Sequence, residues 1–187
     1  SDFLEKVIKL NGYYVFSNKD YMSRARGGNN FAQIRISDRL IFSHSNKLDF
    51  IIALDKNAAE FHVNRLKDKG AIILDEGIKF DHDKAISLPL VKLANELGLS
   101  RAVGMLAVGA TMKYFGLSLE GFESFIPAKF TEQVRNINIE AVMKGYSLID
   151  SQYNLEKRKS EDTLLLNGNT AIALGAIAGG LNFYSAY

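Results

Sequence analysis

An α/β fold, with a mostly parallel sheet between two layers of helices, is what the sequence predicts, and two observations carry that expectation. Phe50–Leu54 and Ala71–Leu74 are near-continuous apolar runs, each closed by an aspartate (Asp55, Asp75). Between them Ala58, Phe61 or His62, and Leu66 mark a helix face that stops at Lys69-Gly70. Strands without polar alternation are buried on both faces, and strand–helix–strand order makes such strands parallel neighbours. From Pro89 onward apolar residues recur at helical spacing over roughly 89–97, 101–115, 118–126 and 131–146, enough helix to cover that sheet. The expected architecture is therefore three-layered and Rossmann-like.

The other elements follow in chain order. Phe3, Leu4, Val7, Ile8 and Leu10 form a helix face that Gly12 ends. Tyr13–Phe16 is aromatic and β-branched, a buried strand. Residues 18–30 are polar and glycine-containing, hence a loop. Phe31, Gln33 and Arg35 alternate with Ala32, Ile34 and Ile36, a strand with one covered face. Leu40–Phe42 is expected to pair with it through a Ser37-Asp38 turn. Ala102–Met112 is almost uncharged and holds Gly104 and Gly109, small residues that let a buried helix lie close to the sheet. Between Ser147 and Leu166 the mixed charges lack an apolar period, which reads as a linker. Asn169–Tyr187 carries no charge. Its Asn182, Gly179-Gly180 and few large aliphatics argue against a membrane span and for a buried, small-residue helix of a second domain.

Composition excludes several functions. With 23 Lys+Arg against 21 Asp+Glu the net charge is +2, too balanced for non-specific nucleic-acid binding. Cysteine is absent, which rules out disulfides, catalytic thiols and thiolate-held zinc or iron–sulfur clusters within the chain. His44, His62 and His82 leave little material for a transition-metal site. No secretion signal opens the chain, so the expectation is a cytoplasmic globular domain with no membrane partner.

The segment with chemistry is Ser23-Arg24-Ala25-Arg26-Gly27-Gly28-Asn29-Asn30, between two predicted strands. Loops at the carboxyl ends of strands in an open parallel sheet line the ligand crevice. Two guanidinium groups can fork onto phosphate or carboxylate oxygens, and paired glycines let backbone N–H groups close on an anion. From Ser17 to Lys47 there are six Lys/Arg and two Asp, the most basic window of the chain. Ser23, Arg24, Arg26, Gly27, Gly28, Asn29 and Asn30 are therefore the candidate binding residues; the alternative is a surface loop whose arginines pair with nearby carboxylates. Asp81-His82-Asp83 reads as a solvated turn rather than a metal motif, and His62 as a packing or capping residue rather than a base. Asp55 and Asp75 stand where catalytic carboxylates sit, and equally well cap the next elements. No catalytic or metal-binding constellation stands out.

On these residues the chain resembles the gamma domain of 2-oxoacid:ferredoxin (acceptor) oxidoreductases. The likeness runs through Gly12–Phe16, Tyr21–Phe31 and Gln33–Asp38, continues in Leu48–Asp55, His62, Leu66, Gly70 and Ile72–Asp75, and closes with Phe130–Tyr146. Asn167–Ala176 and Phe183–Tyr187 look like the opening of the family's alpha-subunit pyrimidine-type domain. The resemblance implies three parts: a gamma domain over 1–148, a linker over 149–166 and the incomplete start of an alpha domain over 167–187. Family gamma domains begin with a strand and glycine-rich loop, whereas Ser1 enters at about the first helix. The sheet is then expected to be truncated at its N-terminal strand and to show an unpaired edge or uncovered face, with another chain filling the gap.

What the resemblance implies for function is part of a thiamine-diphosphate-dependent enzyme. It converts a 2-oxoacid, coenzyme A and an oxidised acceptor to acyl-CoA, CO2 and a reduced acceptor. Thiamine diphosphate, magnesium, iron–sulfur clusters and coenzyme A belong to the complete complex, none of them held by this chain alone. The expected partners are the remaining alpha domain, the beta subunit and a ferredoxin-type acceptor, with a homodimer of the chain as a further association. The fragment alone is expected to be inactive. The alternative is a non-catalytic Rossmann-like module for phosphate-ligand binding or assembly.

Overall fold

The computed structural model describes residues 1–21, 30–159 and 163–185. Helix α1 (Asp2–Leu10) carries Asp2 and Glu5 in its first turn and Lys9 in its last, matching its dipole, and Gly12 ends it at φ +84°. A hairpin follows: β1 (Tyr14–Asp20) pairs antiparallel with β2 (Phe31–Ser37), from Tyr14 opposite Ser37 to Asp20 opposite Phe31. Then β3 (Leu48–Ala53), α2 (Lys56–His62), β4 (Leu66–Asp75) and β5 (Ala85–Leu88) build a parallel sheet in the order β3-β4-β5. Asp55 caps α2, its Oδ1 accepting from the Ala58 amide at 2.8 Å. Helices α3 (Leu90–Glu96), α4 (Val103–Tyr114) and α5 (Glu132–Ser147) complete the domain, and α6 (Gly168–Ala178) stands beyond it.

The predicted α/β class with helices on both faces of a parallel sheet is what the chain adopts. On one face α2 covers Ile51, Ala53, Leu66, Ile72 and Leu74; on the other Ile73 and Leu88 pack under α3, α4 and α5. Ile72, Ile73 and Leu74 are fully buried, as a doubly covered strand requires. A third apolar cluster joins α1, the end of α4 and α5 through Leu4, Val7, Ile8, Met112 and Val142, and Val15, Ile34 and Ile36 of the hairpin pack against it. Helix α4 is buried on most sides, which explains a sequence without a polar stripe.

Several local expectations change. Leu40–Phe42 is not a strand: Leu40 and Phe42 are 61% and 79% exposed, and β2 takes β1 as its partner. Tyr14–Phe16 and the polar residues to Asp20 form one strand that Tyr13 precedes, because hairpin pairing satisfies their backbone whatever their side chains. β4 starts at Leu66, so Lys69-Gly70 is inside a strand, and β5 follows a turn that the sequence pattern did not announce. Residues 118–126 hold a 3-10 turn (Phe122–Phe125) in place of an α-helix.

Among the described residues β2 and β3 each have one side without a ladder partner. The hairpin and the parallel sheet are separate sheets, and β2 and β3 face each other across a cleft of about 560 Å³. Ile34, Ile36, Phe50 and Ile52 from the strands, with Leu4, Ile8 and Met112 from the helices, give it an apolar wall. Arg35, Lys47, Asp49 and Lys67 form its polar margin.

The segment read as a linker is docked over its first half. The amides of Gln152 and Tyr153 donate to the Tyr114 carbonyl, Leu155 to Phe115 and Arg158 to Asn11, at 2.9–3.0 Å. The strap runs so close that a Cβ on Gly12 would lie 2.4 Å from the Arg158 carbonyl oxygen. Helix α6, expected to be buried, has no buried residue; Ile172 and Ile177 are 73% and 66% exposed. Among the described residues no helix is long and apolar enough to cross a membrane.

Candidate functional site

Ser23, Arg24, Arg26, Gly27, Gly28 and Asn29 lie outside the described residues. Their stems are defined. Tyr21 follows β1 and is 73% exposed; Asn30 is exposed and leads straight into Phe31, the first residue of β2. The connection therefore joins two antiparallel strands of a hairpin. Expectation had placed it at the carboxyl end of a parallel strand, and that crevice argument does not apply to it. The ends of β3 and β4 do occupy such positions, where Asp55 caps α2 and Asp75 is a structural acceptor. Asp75 Oδ1 takes the Gly77 amide at 2.9 Å and Oδ2 the Val91 amide at 2.7 Å.

Beside the β2 stem is a polar cluster that sequence reasoning did not assemble. Arg65, in a 3-10 turn after α2, donates from Nη2 to Gln33 Oε1 at 2.7 Å and from Nε to the Asn46 carbonyl at 3.0 Å. Its Nη1 lies 3.2 Å from His62 Nδ1. The Gln33 amide donates to the Ser45 carbonyl. The Phe31 ring meets His62 edge-on, with centroids 4.6 Å apart. His62 is buried at the end of α2, and burial, with the Arg65 charge as a second cause, pushes its imidazole below the ordinary value. The reading of His62 as a packing residue agrees with this setting. A faint signal existed: Gln33 and Arg35 are the polar members of an otherwise apolar alternation.

Asp81-His82-Asp83 is a turn. His82 Nδ1 accepts from the Lys84 amide at 3.2 Å, and its ring stacks on Phe80. Among the described residues no group of three or more His, Cys, Asp or Glu is placed to hold a metal ion. No iron–sulfur cluster can be ligated by thiolates from a chain without cysteine.

Known proteins resemble the chain along nearly its whole length. The alpha subunit of 2-oxoacid:ferredoxin oxidoreductase from Sulfolobus sp is 24% identical over 94% of this chain and 35% of that protein. The 2-oxoglutarate synthase subunit KorC from Methanothermobacter thermautotrophicus is 26% identical over 78% of this chain and 85% of that protein. Among solved structures, the 2-oxoglutarate:ferredoxin oxidoreductase from Magnetococcus marinus, with 2-oxoglutarate, coenzyme A and succinyl-CoA bound, superposes with a TM-score of 0.83 at 26% identity. It covers 96% of this chain and 34% of that one. The keto/oxoacid ferredoxin oxidoreductase gamma subunit from Geobacter sulfurreducens shares the fold at 19% identity, with a TM-score of 0.62 over 76% of this chain and 87% of that one. The chain thus spans about a third of the length of the alpha subunits it matches (35% for the Sulfolobus protein). The sequence pattern of pyruvate ferredoxin/flavodoxin oxidoreductases matches residues 1–148, and the chain belongs to that family.

Proposed function

We propose that the chain is the gamma-type domain (1–148), strap (149–166) and opening of the alpha-type domain (167–187) of a 2-oxoacid:ferredoxin oxidoreductase. In that enzyme a 2-oxoacid, coenzyme A and oxidised ferredoxin yield acyl-CoA, CO2 and reduced ferredoxin. The observation that carries the reading is the likeness, over 96% of this chain, to an enzyme whose structure holds 2-oxoglutarate, coenzyme A and succinyl-CoA. Thiamine diphosphate and magnesium are proposed to be held by the rest of the assembly. The exposed Ile172, Leu174 and Ile177 of α6, with Phe183 and Tyr184 beyond it, suit burial against the rest of an alpha subunit and a beta subunit.

This chain's own contribution is binding. Ser23, Arg24, Arg26, Gly27, Gly28, Asn29 and Asn30 make the sequence between β1 and β2 cationic and glycine-rich, suited to coenzyme A phosphates. In the assembled enzyme, Arg24→Ala with Arg26→Ala should raise the KM for coenzyme A about tenfold or more, as losing one or two charge-assisted hydrogen bonds does. The kcat at saturating coenzyme A should hold. Unchanged acyl-CoA formation at limiting coenzyme A would reject the assignment and favour an assembly module. A strand from another polypeptide is proposed to fill the β2–β3 cleft, supported by the two facing unpaired edges. Amides of both β2 and β3 should then exchange more slowly in the assembly than in the isolated chain.

A further inference from the structure

The hairpin and the parallel sheet share no backbone ladder, so side chains hold them in register beside the β2 stem. Arg65 makes one such contact, to Gln33 Oε1 on β2, and two others, to the Asn46 carbonyl before β3 and to His62 Nδ1 in α2, fix its guanidinium for it. Every guanidinium nitrogen is a donor and none accepts. His62 Nδ1 must therefore offer a lone pair to Arg65, with the ring proton on Nε2 and the imidazole neutral. A second ring proton would set N–H against N–H and add a charge beside one that never leaves. Phe31, one residue after Asn30, leans on the same ring.

We propose that Arg65, Gln33 and His62 form a proton-sensitive clasp that fixes the start of β2 against the parallel sheet and opens when His62 takes up a proton. Phe31 faces the ring from β2, Phe61 faces it from α2, and Arg65 is the one charged group against it among the described residues. The depressed imidazole sets the direction. The clasp is whole above the ordinary histidine value of ~6.5 and is lost as pH falls from there through the lowered value. That its opening loosens one stem of a coenzyme A site rests on the proposed function; the clasp itself does not.

Hydrogen exchange by mass spectrometry on the 187-residue chain tests it. Rates for β2 are divided by those for β4 in the same sample, which cancels the intrinsic pH dependence of exchange. Between about pH 7.5 and about pH 5.0 the ratio should rise about tenfold, since local opening is what such exchange reads. His62→Asn keeps an acceptor near the Nδ1 position and does not titrate, so its ratio should stay flat. Arg65→Met keeps an apolar stem and removes every donor, and its ratio should be high at both pH values. A wild-type ratio insensitive to pH, or an equal rise in His62→Asn, would overturn the proposal. Neither result touches the coenzyme A assignment, which is read by KM.

Discussion

Gly109→Ala should lower the melting temperature by about 6–12 °C, the shift expected for ~3 kcal/mol in a domain of this size. The cause is a reciprocal backbone contact between α4 and α5. A Cβ on Gly109 would lie 2.0 Å from the Val142 carbonyl oxygen and 2.7 Å from the Tyr146 amide nitrogen. A Cβ on Gly145 would lie 2.0 Å from the Leu106 carbonyl oxygen. Both obstacles are backbone in the middle of helices, so neither can swing aside. The helices must part, and that opens the clusters on either side, where Leu106, Ala107, Ala110 and Met112 are all but fully buried. Overpacking at a tight core contact costs ~1–3 kcal/mol and occasionally more. Gly145→Ala should act alike, and the double variant should cost less than the two singles combined, because one separation accommodates both methyls. Thermal unfolding followed by circular dichroism reads this; a loss below ~1 kcal/mol for either single variant would mean the contact is loose.

Asn11→Ala should be the next most damaging change, costing about 2–4 kcal/mol in urea unfolding. Asn11 is 1% exposed and sits just past the end of α1. Its Nδ2 donates to the carbonyls of Val7 and Ser118, and its Oδ1 accepts from the Ser118 amide, all at 2.9 Å. The amide side chain thus replaces a backbone partner for a segment 107 residues away. Truncation leaves the Ser118 N–H and C=O without it, and a part-buried peptide group stripped of both bonds costs more than those bonds contributed. The Asn11 carbonyl also receives the Arg158 amide, so the docked strap depends on the same residue. Asn11→Asp retains the volume and one acceptor but aims a carboxylate oxygen at two carbonyls. It should destabilise at least as much as alanine, and a milder effect would show that water reaches the site.

Both positions show where reading the chain succeeds and where it stops. Gly109 is visible as a small residue in an apolar run, which justified a close approach. The approach is to α5 rather than to the sheet, and Gly104, which looks equivalent, has open space where a Cβ would go. Asn11 gives no local signal, since its partners are four and 107 residues away. Among the candidate site residues, the Arg24–Asn30 run is legible by composition. The Gln33–Arg65–His62 cluster is not, because its members come from β2, a 3-10 turn and α2, and no spacing links them.

Layering and face assignments were within reach of periodicity, because burial on one or both faces of an element is written into every second, third or fourth residue. The doubly covered Ile72–Leu74 follow from that alone, whereas in β2 the buried residue is Gln33, on the face that alternation leaves uncovered, and Ala32 on the other face is exposed. Which strands pair does not: β1 turned back on β2 and left β3 with an open edge, although both strands carry suitable residues. Pairing, the docking of 152–158 and the exposure of α6 depend on which surfaces remain free once every other element is packed. That is a condition on the whole chain, and no window of residues carries it.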